Sequence, residues 1–197
     1  MQKQNFYSLT FEELKNFLIE KIGVEESKVK MRAQQLYKGI YQKGITRFND
    51  LTTVTLELRK QLENALSLEL PKIVKTEIAA DQTIKWLLEL NDENKNLIEV
   101  VLIPSKSHNT ICVSVQVGCA MSKNSACIHC ATGTQLLVKN LSASEIVMQM
   151  MIAKRHLNDF GDQRLLSRVV LMGSGEPLTN YKETKQFINK KIKKRRI

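Results

Sequence analysis

Three of the four cysteines of this chain, Cys119, Cys127 and Cys130, fall in one short loop. Thiolates that close together can converge on a single metal centre or cluster, and a loop doing so must be anchored by regular structure on both sides. The flanks supply it. Thr110–Val117 reads as a strand before the loop, and Ser142-Ala-Ser-Glu145 is a capping box that opens a helix from Ala143 to Leu157 after it. Arg168–Met172 is a compact apolar strand ending in Gly173-Ser-Gly-Glu-Pro177. Strand, ligand loop, helix and buried strand make a βαβ unit, so this half of the chain is α/β with a parallel strand pair.

The first third has a different period. Thr10-Phe-Glu-Glu13 is another capping box, followed at helical spacing by Phe11, Leu14, Phe17, Leu18 and Ile22, with Gly23 as the C-cap. Further helices are expected over Val29–Gln42 and Thr55–Leu68, forming a small helical bundle with Phe11, Phe17 and Tyr37 in its packing. The pattern changes at Pro71. Ile73–Ala79, Gln82–Leu90, Leu97–Ile103 and Thr110–Val117 alternate as strands separated by turn-rich stretches, with Trp86 inside one of them. The expected division is a helical domain over 1–70, a β-rich connection over 71–111, the α/β core over 112–189 and a basic tail over 190–197.

The formal net charge is +10, but six of the 30 Lys and Arg lie in the last eight residues. The remaining 24 face 20 acidic residues, so the body carries only +4. That favours a polyanionic partner weakly. No apolar run approaches the roughly 18 residues needed to cross a membrane. No apolar signal core opens the chain, and clustered rather than dispersed cysteines fit a reducing compartment; a cytoplasmic location is expected.

Two chemistries suit the cysteine loop. A zinc site would use Cys119, Cys127, Cys130 and either His129 or Cys112. A three-thiolate site with an open position suits an iron–sulfur cluster. Ligands of α/β sheets sit at the carboxyl ends of strands. There the second strand offers Gly173 and Gly175 for close backbone approach and Glu176 to accept from an ammonium group. That combination is the layout of a radical S-adenosylmethionine (SAM) enzyme.

Several segments in order resemble the RlmN/Cfr family of radical-SAM adenosine methyltransferases. They are Thr110-Ile-Cys-Val-Ser-Val-Gln-Val-Gly-Cys-Ala120, Cys130-Ala-Thr-Gly-Thr-Gln135, Asn140-Leu-Ser-Ala-Ser-Glu-Ile146 and Met172-Gly-Ser-Gly-Glu-Pro-Leu-Thr-Asn-Tyr181. Upstream, Arg32-Ala-Gln-Gln-Leu-Tyr37, Lys85-Trp-Leu-Leu88 and Ile98-Glu-Val-Val-Leu-Ile-Pro104 are similar as well, and the likeness covers about residues 7–181. The resemblance implies a helical N-terminal domain followed by the start of a partial (βα) barrel. It implies methylation of C2 of adenosine in 23S rRNA and tRNA, an electron donor of the flavodoxin type, and a monomer. By position it implies that Cys119, Cys127 and Cys130 hold a [4Fe-4S] cluster, that Gly175 and Glu176 contact SAM, that Glu99 is the proton acceptor, and that Cys112 resolves a covalent RNA intermediate. Without the resemblance, Glu99 reads as a solvated strand carboxylate and Cys112 as a buried strand thiol.

The chain departs from the family in two ways. The family spacing is Cys-x3-Cys-x2-Cys, whereas here seven residues separate Cys119 from Cys127, and His129 stands where the family has an aromatic. The extra residues either bulge out as Ser122–Ser125 or carry Cys119 away. Only 67 residues follow Cys130 and none is cysteine, although the family's methyl-carrying cysteine lies near the C-terminus. The expected product is a truncated barrel, inactive alone. The competing classes are a non-catalytic RNA-binding remnant and a zinc-stabilised interaction module.

Overall fold

In the computed structural model, which describes residues 3–106, 108–123, 127–162 and 164–192, the Thr10 hydroxyl accepts from the Glu13 amide while the Glu13 carboxylate accepts from the Thr10 amide. This reciprocal cap starts α1 (Phe11–Glu20). Gly23 ends it at φ +79°, with the Val24 amide reaching back to Leu18 O at 2.9 Å. Before α1, the two-residue strand β1 (Gln4–Asn5) leads into a single 3₁₀ turn. The next helix, α2 (Glu26–Tyr37), starts earlier than its apolar pattern suggests and passes into one π turn over Lys38–Gln42, closed by the Lys43 amide on Lys38 O at 3.0 Å. Helix α3 (Leu56–Ala65) is capped by Thr55.

The expected helix over Thr55–Leu68 stops at Ala65. Leu66–Ser67 instead forms β2, which pairs in parallel with β1. The aromatic packing is wider than the helical period indicates: Phe11 and Tyr37 belong to it, with Tyr37 5.3 Å from Phe11, 5.7 Å from Phe6 and 5.0 Å from Tyr41. Phe6, Tyr7, Tyr41 and Phe48 are fully buried around one centre, with Phe6 5.9 Å from Tyr41 and 6.5 Å from Phe48, while Phe11, Phe17 and Tyr37 lie half-buried at its margin. Burial pushes the Tyr41 phenol well above its ordinary range. Residues Met1–Glu69 form one compact unit, together with Phe160–Asp162, whose Gly161 amide donates to Gln42 O at 2.7 Å. The Phe160 ring lies where Gly44, at φ +69°, has no side chain; a Cβ there would come within 2.6 Å of it.

The second unit runs over Leu70–Asp159 and Gln163–Lys193. Its sheet contains β3 (Lys72–Ile78), β4 (Ile84–Glu89), β5 (Leu97–Ile103), β6 (Asn109–Cys112) and, after the crossover, β9 (Leu166–Val170). The order is β3-β4-β5-β6-β9, antiparallel up to β6 and parallel between β6 and β9. Between β6 and β9 the chain makes β7 (Gln116–Val117), the cysteine loop, β8 (Lys139–Asn140) and helix α4 (Ala143–His156); α5 (Tyr181–Ile192) follows β9. The βαβ reading therefore stands, with the crossover helix where the Ser142 capping box places it. The expected strand over Thr110–Val117 is broken at Cys112, and β7 leaves the main sheet to pair with β8.

Period-two alternation gives this sheet two different faces. Ile84, Trp86, Leu88, Ile98, Val100, Leu102 and Ile111 are buried, and the Trp86 ring meets His156 of α4 edge-on at 5.3 Å. The opposite face carries Lys85, Leu87, Glu99, Val101, Cys112 and Val170 in adjoining register. Among the described residues no helix is long and apolar enough to cross a membrane.

Candidate functional site

Past Cys112 and Val170 the two parallel strands continue side by side without regular pairing. The Val113 amide donates to Val170 O at 2.9 Å, Gly173 to Val113 O at 3.1 Å, and both Val115 and Gln116 to Ser174 O at 2.9 and 3.1 Å. This segment is buried from Val113 to Val117, so every backbone group left by the ladder needs another partner. Side-chain amides provide them. Gln149 of α4, wholly buried, accepts from the Ser114 amide at 2.8 Å and donates to Ser114 O at 3.0 Å. Asn180 donates to Val115 O at 2.9 Å and to Leu141 O at 2.8 Å. The Ser114 hydroxyl donates to Glu99 O at 2.7 Å and accepts from the Ser174 amide at 2.9 Å.

The glycines of Gly173-Ser-Gly-Glu176 lie against this segment. A Cβ on Gly173 would come within 2.7 Å of Ser114 Oγ and 2.8 Å of its amide nitrogen. One on Gly175, which sits at φ +95°, would come within 2.5 Å of Gln116 Cβ. Only glycine lets the turn approach so closely. Glu176 follows, half-buried, as the N-cap of a 3₁₀ turn over Pro177–Asn180, its carboxylate accepting from the Leu178 amide at 3.3 Å. A carboxylate offers about four lone-pair positions, so acceptor capacity remains for an ammonium group. The methionine end of SAM carries one, and the turn suits it in chemistry.

The cysteine loop begins at Gly118, whose φ of +73° turns the chain out of β7. The Cys119 amide donates to Gln135 O at 3.1 Å, and Ala120–Lys123 makes a 3₁₀ turn. On the far side the Cys130 amide donates to Cys127 O at 3.0 Å, closing the turn that carries both thiols. Cys119 is half-buried, and Cys127 and Cys130 are exposed. The insertion expected at Ser122–Ser125 lies partly outside the described residues. Three thiols are the right donor set for an iron–sulfur cluster. Among the described residues, no three Cys, His, Asp or Glu side chains converge on one point in this arrangement of the loop, so binding a cluster or zinc requires the three thiols to draw together.

Glu99 and Cys112 share the open face of the sheet. Cys112 pairs in register with Val101, two residues from Glu99 on the same strand. The Glu99 carboxylate is exposed, with Lys85 Nζ at 3.4 Å, and Lys85 also reaches Glu77 at 3.0 Å. Burial raises the Cys112 thiol pKa above its ordinary value, partly offset by a hydrogen bond with the Met172 backbone. Beneath the loop, Lys139 of β8 bridges Glu145 at 2.8 Å and Asp92 at 3.0 Å. Burial opposes its charge, yet those two carboxylates hold its pKa above the usual lysine value.

Sequence reasoning singled out the cysteines, Glu176 and Gly175 but passed over Ser114, Gln116, Gln149 and Asn180. One signal was present: in Val113-Ser-Val-Gln-Val117 the residues alternating with buried valines are polar. Polar side chains inside a strand with no exposed face must be paired.

Comparison with known proteins identifies the family. Residues 4–68 match the family described as ribosomal RNA large subunit methyltransferase N-terminal domain. The chain is 44% identical over 170 residues to the dual-specificity RNA methyltransferase RlmN of Rhodopseudomonas palustris (strain BisB18), covering 81% of this chain and 42% of that protein. It is 39% identical over 198 residues to the corresponding protein of Agrobacterium fabrum, covering 93% of this chain and 47% of that one. A solved radical SAM methyltransferase from Sphaerobacter thermophilus superposes with a TM-score of 0.79 at 33% identity, covering 94% of this chain and 51% of that chain. The chain spans about half the length of the curated relatives it matches. The paired strand ends, the glycine–glutamate turn and these relatives agree, and the chain belongs to the RlmN family of radical SAM methyltransferases.

Proposed function

We propose that this chain carries the SAM-binding part of an RNA methyltransferase acting on C2 of adenosine in 23S rRNA and tRNA, working in the cytoplasm as a monomer. The observation that carries the reading is the meeting of Gly173–Glu176 with Ser114 and Gln116 at the carboxyl ends of β6 and β9. SAM supplies the methyl group and, with a [4Fe-4S] cluster and a flavodoxin-type electron donor, the radical that such methylation needs. Glu176 receives the methionine ammonium, and Gly175 leaves room for its backbone. On the open sheet face, Glu99 takes a proton from the adenine and Cys112 releases the RNA-bound adduct. The unit formed by residues 1–69 meets the RNA.

The reading is tested on the chain reconstituted anaerobically with iron and sulfide, by metal and sulfide analysis together with calorimetry of SAM. The expected result is iron and sulfide bound through Cys119, Cys127 and Cys130, lost when any of the three is changed to Ala, with SAM binding alongside. Stoichiometric zinc without iron or sulfide, and no SAM binding, would sink the reading in favour of an interaction module. Gel shifts of a tRNA and a 23S rRNA fragment, weakening with salt, test the substrate class.

A further inference from the structure

The Gln116 side chain is wholly buried, and its carboxamide is fully occupied. Its Oε1 accepts from the Ala120 amide at 3.1 Å and from the Glu176 amide at 3.1 Å. Its Nε2 donates to Asn140 Oδ1 at 2.7 Å and to Thr179 Oγ1 at 3.0 Å. A primary amide offers two donors and two lone pairs, so nothing is left for a ligand. The orientation is fixed independently, because two backbone N–H groups can face only the oxygen. Thr179 agrees: its hydroxyl donates to Glu176 O at 2.8 Å and is thereby left to accept from Nε2.

Four segments therefore meet on one side chain: the residue after Cys119, the end of β8, the Glu176 amide and the 3₁₀ turn that Glu176 caps. Gly175 adds a steric constraint, because its missing Cβ is what lets the turn rest on Gln116. We propose that Gln116 is a positioning residue that fixes the Glu176 carboxylate relative to the start of the cysteine loop, so that a ligand bound at the turn also orders the loop. This rests on the reading that Glu176 binds the SAM ammonium.

Two substitutions separate the polar atoms from the bulk of the side chain. Gln116→Glu, held protonated by its complete burial, keeps an acceptor for both amides and one O–H to donate to Asn140 or Thr179, whereas Gln116→Met removes acceptor and donors at similar volume. In the full chain, amide hydrogen exchange at Ala120 and Glu176 and calorimetry of SAM are measured together. In the Met variant both amides exchange at least 10-fold faster, SAM affinity falls at least 10-fold, and SAM no longer slows exchange at Ala120 as it does in the unsubstituted chain. In the Glu variant both amides stay within about 3-fold and affinity is retained. A folded Met variant with unchanged affinity and exchange overturns the proposal, as does a Glu variant that loses protection and affinity. Should the Met variant fail to fold, the Glu variant decides alone by the same criterion. Should the unsubstituted chain not bind SAM, the functional reading fails while the exchange data still judge Gln116.

Discussion

Gln149 pairs with the backbone of Ser114 as a neighbouring strand would, accepting from its N–H and donating to its C=O, with both residues wholly buried. Gln149→Leu leaves two buried backbone groups unpaired, which costs about 2–4 kcal/mol. Chemical denaturation monitored by circular dichroism checks this. A loss below about 1 kcal/mol would mean that water or a rearranged strand replaces the amide.

Glu176→Ala should weaken SAM binding by roughly 10- to 150-fold, the equivalent of a charge-assisted hydrogen bond of about 1.5–3 kcal/mol. Because the same carboxylate caps the Leu178 amide, Glu176→Gln is the control: it retains an acceptor for the cap but loses the charge. Calorimetry showing equal affinity for all three forms would reduce the turn to a structural role.

Gly175→Ala should destabilise the second unit by about 1–3 kcal/mol, through strain at φ +95° and overlap with Gln116. Gly161, at φ +78° with nothing within 4 Å of a Cβ, shares the strain but not the overlap. Thermal unfolding of the two Ala variants separates the contributions, and equal losses would show that close packing at Gly175 adds nothing.

Alkylation should rank the cysteines. Cys127 and Cys130 are exposed and react first with iodoacetamide; Cys112 is half-buried. The thiolate is the reacting form, and burial raises the Cys112 pKa, so at a given pH less of it is ionised than of an ordinary thiol near 8.5. Its labelling should climb only at higher pH. The sign for stability follows: the folded state favours the protonated thiol, a preference fully present below the unfolded pKa and lost as pH rises through the folded one. Mass spectrometry of labelled peptides across pH 7–10 would contradict this if Cys112 matched Cys130.

Lys139→Met should cost about 1–3 kcal/mol, because Glu145 and Asp92 would lose the cation between them while remaining largely shielded from water. Added salt should not recover the loss, which urea titration at two ionic strengths would show.

Much of this was legible in the sequence because the signals were local. Both capping boxes announce their helices within four residues, and the cysteine spacing marks the loop. What escaped depends on partners distant in the chain. Gln149 finds Ser114 35 residues away and Asn180 finds Val115 65 residues away, and no periodicity reports such pairs. Leu66 and Ser67 continue a helical pattern, but β1, more than 60 residues earlier, takes them as a strand. Nor could the spacing of Cys119, Cys127 and Cys130 settle whether the thiols converge, since that depends on the path of the intervening loop.

The pairing of Gln4–Asn5 with Leu66–Ser67, reinforced by Asn5 Nδ2 on Glu69 O at 2.9 Å, has a mechanical consequence. The segment that supplies most of the N-terminal unit begins and ends on adjacent, parallel strands, so a force pulling Gln4 and Ser67 apart loads two-residue strands that are only a few hydrogen bonds long. Because the strands run parallel, tension along the chain at the entry of β1 and the exit of β2 shears those bonds together instead of peeling them one by one. The segment should resist gentle traction as a closed loop and then give way abruptly, with about 60 residues of slack released in one step. A single-molecule stretching trace would record that as one long extension.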